Sequence, residues 1–202
     1  MNDRDHPTDR HGQCTQCARP TVAFVGCGKQ KQDTDESVPA EELYTSNYFQ
    51  LKREFANTVC GSTRIGRRTT KFWYVISAKY ECIPATREIE SYDLTLSDLS
   101  PYERGRWAER TQNTMDLYLS FLNVNATVYV LMGEEYAQHF EEVWEGIDRG
   151  SHGRVIFPFQ ETTGIGEQMR WLREQIDTRK QRQEFAASGT LEPVLQRDEG
   201  DA

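Results

Sequence analysis

Four short apolar runs constrain this chain most: Thr21–Val25, Phe72–Ile76, Thr127–Met132 and Val155–Phe157. None alternates apolar with polar residues, as strands covered on both faces do not. Gly26, Gly133 and Pro158 stop three of them. Between the runs the apolar spacing changes to that of helices. Pro39–Ala56 carries it through Leu43, Phe49, Leu51 and Phe55. Pro101–Leu122 reads as a long helix, with Ser100 as N-cap and Pro101 in its first turn. Glu134–Ile147 and Ile165–Ile176 complete the set, the former with two acids at its positive end. A β-α-β-α-β-α-β-α order predicts an α/β fold: three-layer α/β/α with a mostly parallel four-stranded sheet.

The chain has 202 residues, enough for one sizeable core. Residues 20–178 are expected to form a single α/β domain. Residues 179–202 read as a helix end followed by a polar C-terminal tail. With 37% hydrophobic and 28% charged residues the chain is polar but not disordered. No stretch approaches the ~20 apolar residues of a membrane helix, and the polar start is not a secretory signal. No membrane partner is therefore expected. Five cysteines, with one close pair, argue against a disulfide framework and for a reducing, cytoplasmic setting. The net charge of −8 disfavours nucleic acid unless the cations cluster.

Residues 1–19 form a separate segment. His11, Cys14 and Cys17, with His6 nearby, have the spacing of half a zinc knuckle. Structural zinc is one reading; a tail with two thiols is the other.

In open parallel sheets, ligands bind beyond the carboxyl ends of the strands. Four segments fall there: residues 26–31 (GCGKQK), Ser77-Ala78-Lys79-Tyr80, Gly133-Glu134-Glu135-Tyr136, and residues 158–168 (PFQETTGIGEQ). In the first, Gly26 and Gly28 would let backbone approach a ligand, and Lys29 and Lys31 add charge. Neither a Walker loop nor a dinucleotide fingerprint is present. Cys27 reads as a small packed residue before it reads as a reactive thiol. Gly164 and Gly166 open the last helix, where free backbone donors can hold a phosphate or carboxylate. Gln168 and Trp171 lie on its first turns, Trp171 reading as core.

Lys79 is a candidate for neutralising an anion, or a base if desolvated. Asp93 is the first candidate for a general base and Glu134 the second; either is also a plain cap of a turn or helix. Tyr44, Tyr80 and Tyr92 are candidate packing surfaces for a base. Residues 91–96 (SYDLTL) would fold over the site. The one concentrated basic patch, residues 62–71, precedes the second strand and falls on the opposite edge.

The segments VGCGKQK (25–31), ELYTSNYF (42–49), VISAKYECI (75–83), SYDLTL (91–96) and GIGEQMRWL (164–172) together resemble an uncharacterised prokaryotic and phage family of unknown function. The resemblance covers about residues 21–176. Glu81 and Cys82 stand where that family usually has Gly-Leu. It implies a fold similar to the core of uracil-DNA glycosylases and archaeosine-synthesis domains, and more distantly to the peroxide-stress family YaaA. It implies no reaction. The glycosylase motifs are absent, with residues 26–31 and 158–164 in their places.

Three functions compete. The first is binding or processing of a nucleotide, nucleoside or modified nucleobase, with glycosidase- or transferase-like chemistry if it is an enzyme. In that case residues 26–31 and the 164–166 helix start would hold a small anionic ligand. The second is a non-catalytic nucleic-acid-binding protein in stress response or phage defence, using Arg64, Arg67 and Arg68. The third is a metal-stabilised interaction module built on residues 1–19. Placing the polar segments at the ligand edge favours the first.

Overall fold

The computed structural model describes residues 20–65, 68–120, 126–150 and 153–188. The zinc ligands proposed above, His6, His11, Cys14 and Cys17, lie outside these residues. So does Arg67, and the side chains of 63–69, Arg64 and Arg68 included, are also outside them.

Chain order begins with β1 (Thr21–Gly26), the short β2 (Val38–Pro39), α1 (Ala40–Leu43) and α2 (Asn47–Val59). Then come β3 (Ser62–Ile65), β4 (Arg68–Lys71), β5 (Trp73–Ser77), β6 (Glu81–Pro84) and β7 (Glu88–Ile89). A 3-10 turn at Leu96–Asp98 leads to α3 (Pro101–Ser120). The chain closes with β8 (Thr127–Leu131), α4 (Glu134–Ala137), α5 (Glu141–Gly150), β9 (Arg154–Ile156) and α6 (Ile165–Ser188).

All four apolar runs are strands of one sheet, ordered β6-β5-β1-β8-β9. β1 pairs in parallel with β5 and β8, and β9 in parallel with β8. The sheet has five strands, not four. The added strand, β6, runs antiparallel along β5 with Ser77 opposite Glu81. Its apolar content is only Cys82 and Ile83 before Pro84, too short a run to be read as a strand. Within the basic stretch, Ser62–Ile65 and Arg68–Lys71 pair antiparallel as β3 and β4, apart from the main sheet.

Alternate strand residues enter two separate cores, as the period of a strand requires. Val22, Phe24, Tyr74, Ile76, Val128 and Val130 pack with Trp107 and Met115 of α3 and Trp144 of α5. Ala23, Val25, Trp73, Val75 and Leu131 pack with Phe49 and Phe55 of α2 and Leu172 and Ile176 of α6.

The helical run expected over Pro39–Ala56 is broken. Tyr44 is extended, at φ −92° and ψ 121°, and Ser46 caps α2 by accepting the Phe49 N–H at 3.3 Å. Gln50 Nε2 takes the Tyr44 carbonyl at 2.6 Å, so the break leaves no orphan there. Ser100 does cap α3, reciprocally: Glu103 N–H reaches Ser100 Oγ at 3.3 Å, and Ser100 N–H reaches Glu103 Oε2 at 2.9 Å. α6 continues past Ile176 to Ser188, with Arg179 donating to Tyr129 Oη at 3.3 Å and Lys180 pairing with Glu54 at 2.7 Å.

Candidate functional site

The loop after β1 is shaped by packing. A Cβ on Gly26 would sit 2.9 Å from Met132 Cβ, and one on Gly28 3.2 Å from Tyr44 Cβ. Close approach inside the protein therefore requires glycine at 26, and at 28 it leaves room for a Cβ only if Tyr44 gives way by a few tenths of an ångström. Cys27 N–H donates to the Ile76 carbonyl at 3.0 Å and extends the β1–β5 ladder. The thiol is half-buried, 3.5 Å from the Tyr136 hydroxyl.

Beneath the loop lies Lys52 of α2. It is buried, and its ammonium donates to the Gly26 carbonyl at 2.7 Å and stands 4.6 Å over the Tyr48 ring. Burial pushes its pKa down from the ordinary lysine value to about 8, a fall partly offset by Cys27 nearby.

The turn after β5 carries a chain of hydroxyls. Ser77 Oγ accepts the N–H groups of Lys79 (3.2 Å) and Tyr80 (3.0 Å). With both lone pairs used, its own proton goes to Tyr92 Oη at 2.8 Å. Tyr92 in turn donates to Tyr44 Oη at 2.9 Å. Burial pushes both phenols well above the ordinary tyrosine value, so they stay protonated and act as donors. Lys31 Nζ lies 4.3 Å from the Tyr92 ring centre, and Lys79 Nζ 5.0 Å from that of Tyr80. Lys79 is exposed, so it lacks the desolvation that a base would need; Lys52 has it. Lys29 is exposed at the same edge.

At the ends of β8 and β9 a cavity of about 470 Å³ opens between Glu134, Trp144, Phe157, Phe159 and Gln168. Gln168 forms its wall: Tyr48 donates to Gln168 Oε1, and Gln168 Nε2 donates to Thr162 Oγ1 at 3.1 Å. Gly164 and Gly166 are exposed. The turn entering α6 already holds a carboxylate, since Glu167 Oε2 accepts from the N–H (2.8 Å) and hydroxyl (3.0 Å) of Thr163. An external anion at this helix start would meet that charge.

The structure thus gathers Gly26, Cys27, Gly28, Lys31, Tyr44, Ser77, Lys79, Tyr80 and Tyr92 around one strand-end cluster. Glu134 and Gln168 share the neighbouring cavity. Asp93 is exposed and lines a different depression with Asp33, Asp35 and Glu90, which borders the cluster at Tyr92 but does not include Glu134. The two candidate general bases therefore do not meet. Among the described residues, no group of three or more His, Cys, Asp or Glu side chains can hold a metal ion.

Lys52 and Tyr48 belong to the site without being singled out in the sequence, and Tyr136 enters there only as the end of the strand-end segment 133–136. Lys52 had a legible signal. It follows Phe49 by three positions and precedes Phe55 and Ala56 by three and four, so it sits on the apolar face of α2. A lysine there is buried with a partner or is out of place. The contact of Tyr136 with Cys27 had none, because it spans 109 positions of sequence.

No curated protein and no solved structure matches the chain. A family model does match, over residues 22–174. Those residues hold every strand of the sheet, the loop at 26–31 and the hydroxyl chain, and on that match the chain belongs to the family of unknown function DUF6884.

Proposed function

We propose that the carboxyl edge of the sheet binds the anionic part of a nucleotide, nucleoside derivative or modified nucleobase. One observation carries this. The chain has only six lysines, and four of them, Lys29, Lys31, Lys52 and Lys79, lie at this edge. Among the described residues none of the four pairs with a carboxylate, whereas the other two are paired, Lys71 with Glu41 and Lys180 with Glu54. In a protein of net charge −8, four cations without counter-ions at one strand end favour an anion. Half-buried Lys31 and exposed Lys79 would meet it directly, and the Tyr80 and Tyr92 rings beside them offer a flat surface. This reading takes the helices over the two cores as the outer layers of a three-layer α/β/α fold, with the ligand at the strand ends. If the ligand is turned over, Glu134 is the carboxylate next to the cavity and the candidate for activating water or a leaving group.

The test is calorimetric titration with nucleoside mono-, di- and triphosphates. Binding should strengthen with phosphate charge and weaken with added salt. Lys31→Gln and Lys79→Gln should each weaken it by about tenfold. Affinity indifferent to both substitutions overturns the assignment. The second reading, a non-catalytic nucleic-acid-binding protein in stress response or phage defence, has no observation in its favour among the described residues.

A further inference from the structure

The cavity at the ends of β8 and β9 has a chemical bias that the lysine cluster does not share. Its volume, about 470 Å³, falls within the range of about 300–1,000 Å³ typical of small-molecule pockets. Trp144, Phe157 and Phe159 give it aromatic walls. What a ligand meets besides these rings depends on which polar groups the protein has not already used.

Most of the donors are used. Trp144 Nε1 donates to the Ala137 carbonyl at 3.1 Å. Gln168 is committed at both ends, to Tyr48 and Thr162. Thr162 Oγ1 accepts from Gln168 and donates to the Phe159 carbonyl at 2.7 Å. Gln138 Nε2 donates to the Glu135 carbonyl at 3.2 Å, leaving its oxygen. Against these stand Glu134 and Glu141, both exposed to the cavity and, among the described residues, neither hydrogen-bonded nor ion-paired. A carboxylate only accepts. The side-chain groups left over are the two charged carboxylates, the Gln138 oxygen and the Gln160 amide, so acceptors outnumber donors and two of them carry charge.

We infer that this cavity is a separate subsite for a planar heterocycle with donors on its edge: an amino-substituted or protonated base, not its oxo counterpart. Stacking on the aromatic walls holds the plane, and Glu134 and Glu141 take the amino protons. An oxo edge would set its own lone pairs against two carboxylates, a repulsion that the one free side-chain amide of the lining, Gln160, offsets only in part. The inference builds on the proposed anion site. A nucleotide with an amino base would then place its phosphate toward Lys31 and Lys79 and its base at Trp144.

Matched pairs test it. Adenosine and inosine monophosphates, and cytidine and uridine monophosphates, differ in presenting an amino or an oxo group. Binding of each is measured by calorimetry, with inorganic phosphate and free adenine titrated alongside. The amino member should bind about tenfold more tightly in both pairs. Glu141→Gln and Glu134→Gln together should abolish that preference while leaving phosphate binding in place. Equal affinities within the pairs, or a preference that survives the double substitution, overturn the subsite and leave the anion reading standing. Retained adenine binding without binding of phosphate or nucleotide supports the subsite and removes the anion reading. No binding of any of them removes both.

Discussion

Lys52 is the residue on which the site turns. Its ammonium is taken out of water with one carbonyl and two aromatic rings, Tyr48 and Phe49, for company, and burial lowers its pKa to about 8. A lysine with a folded pKa below its unfolded value holds fewer protons folded than unfolded across the interval between them. Stability from this group therefore rises with pH, from about 8 towards the ordinary value of 10.5. Half-buried Cys60, pushed up to about 12 by desolvation, acts in the opposite sense above its ordinary value of 9.0. That contribution is common to wild type and Lys52→Met and cancels in their difference. In urea unfolding, wild type should gain on Lys52→Met steadily as pH is raised from 8 to 10. A difference that stays level across that range would mean Lys52 titrates as it does in water.

The β5–β6 connection shows what an element needs beyond its apolar run. Three residues, Ala78, Lys79 and Tyr80, reverse the chain between Ser77 and Glu81. Glu81 takes a left-handed backbone, φ 61°, a conformation that favours glycine. The conformation costs a non-glycine residue on the order of 1 kcal/mol. Its half-exposed ion pair with Arg110, at 2.5 Å, returns less than that. Glu81→Gly should therefore be neutral or stabilising by up to about 1 kcal/mol. Ser77→Ala should do the reverse. It strips the acceptor from two backbone N–H groups and the donor from Tyr92, with an expected loss of about 2 kcal/mol or more. Chemical denaturation of both variants decides the point. A stable Ser77→Ala protein would show that the turn does not depend on the serine.

At the scale of the molecule, β1 is the axis. It is bonded on both edges, to β5 and β8, and its side chains feed both cores. β9 is a short edge strand, and β3–β4 is a pair outside the main sheet. Amide hydrogen exchange should be slowest over Val22–Val25, and faster in β9 and β3–β4, because β1 is the central strand of the sheet and β9 one of its edges. Exchange in β1 as fast as in β9 would contradict the strand order. Among the described residues no helix is long and apolar enough to cross a membrane.

The sequence by itself determined the parallel strands, their order along the chain, the Ser100 cap and the four segments that meet at the carboxyl edge. These depend on local apolar runs, on glycine and proline as stops, and on the general rule that strand ends of a parallel sheet face one way. The tertiary structure alone decided the rest. β6 exists because β5 offers it an edge, not because Cys82 and Ile83 announce a strand. Gly26 and Gly28 are small because Met132 and Tyr44 press on them from far along the chain. Asp93, close in sequence to Tyr92, lies in an acidic depression away from Glu134. The loop at 26–31 is read best from what surrounds it: Lys52 below, Tyr136 beside and Tyr92 under Lys31. Each of those contacts joins residues whose sequence separation hides them, and burial rather than pattern sets their chemistry.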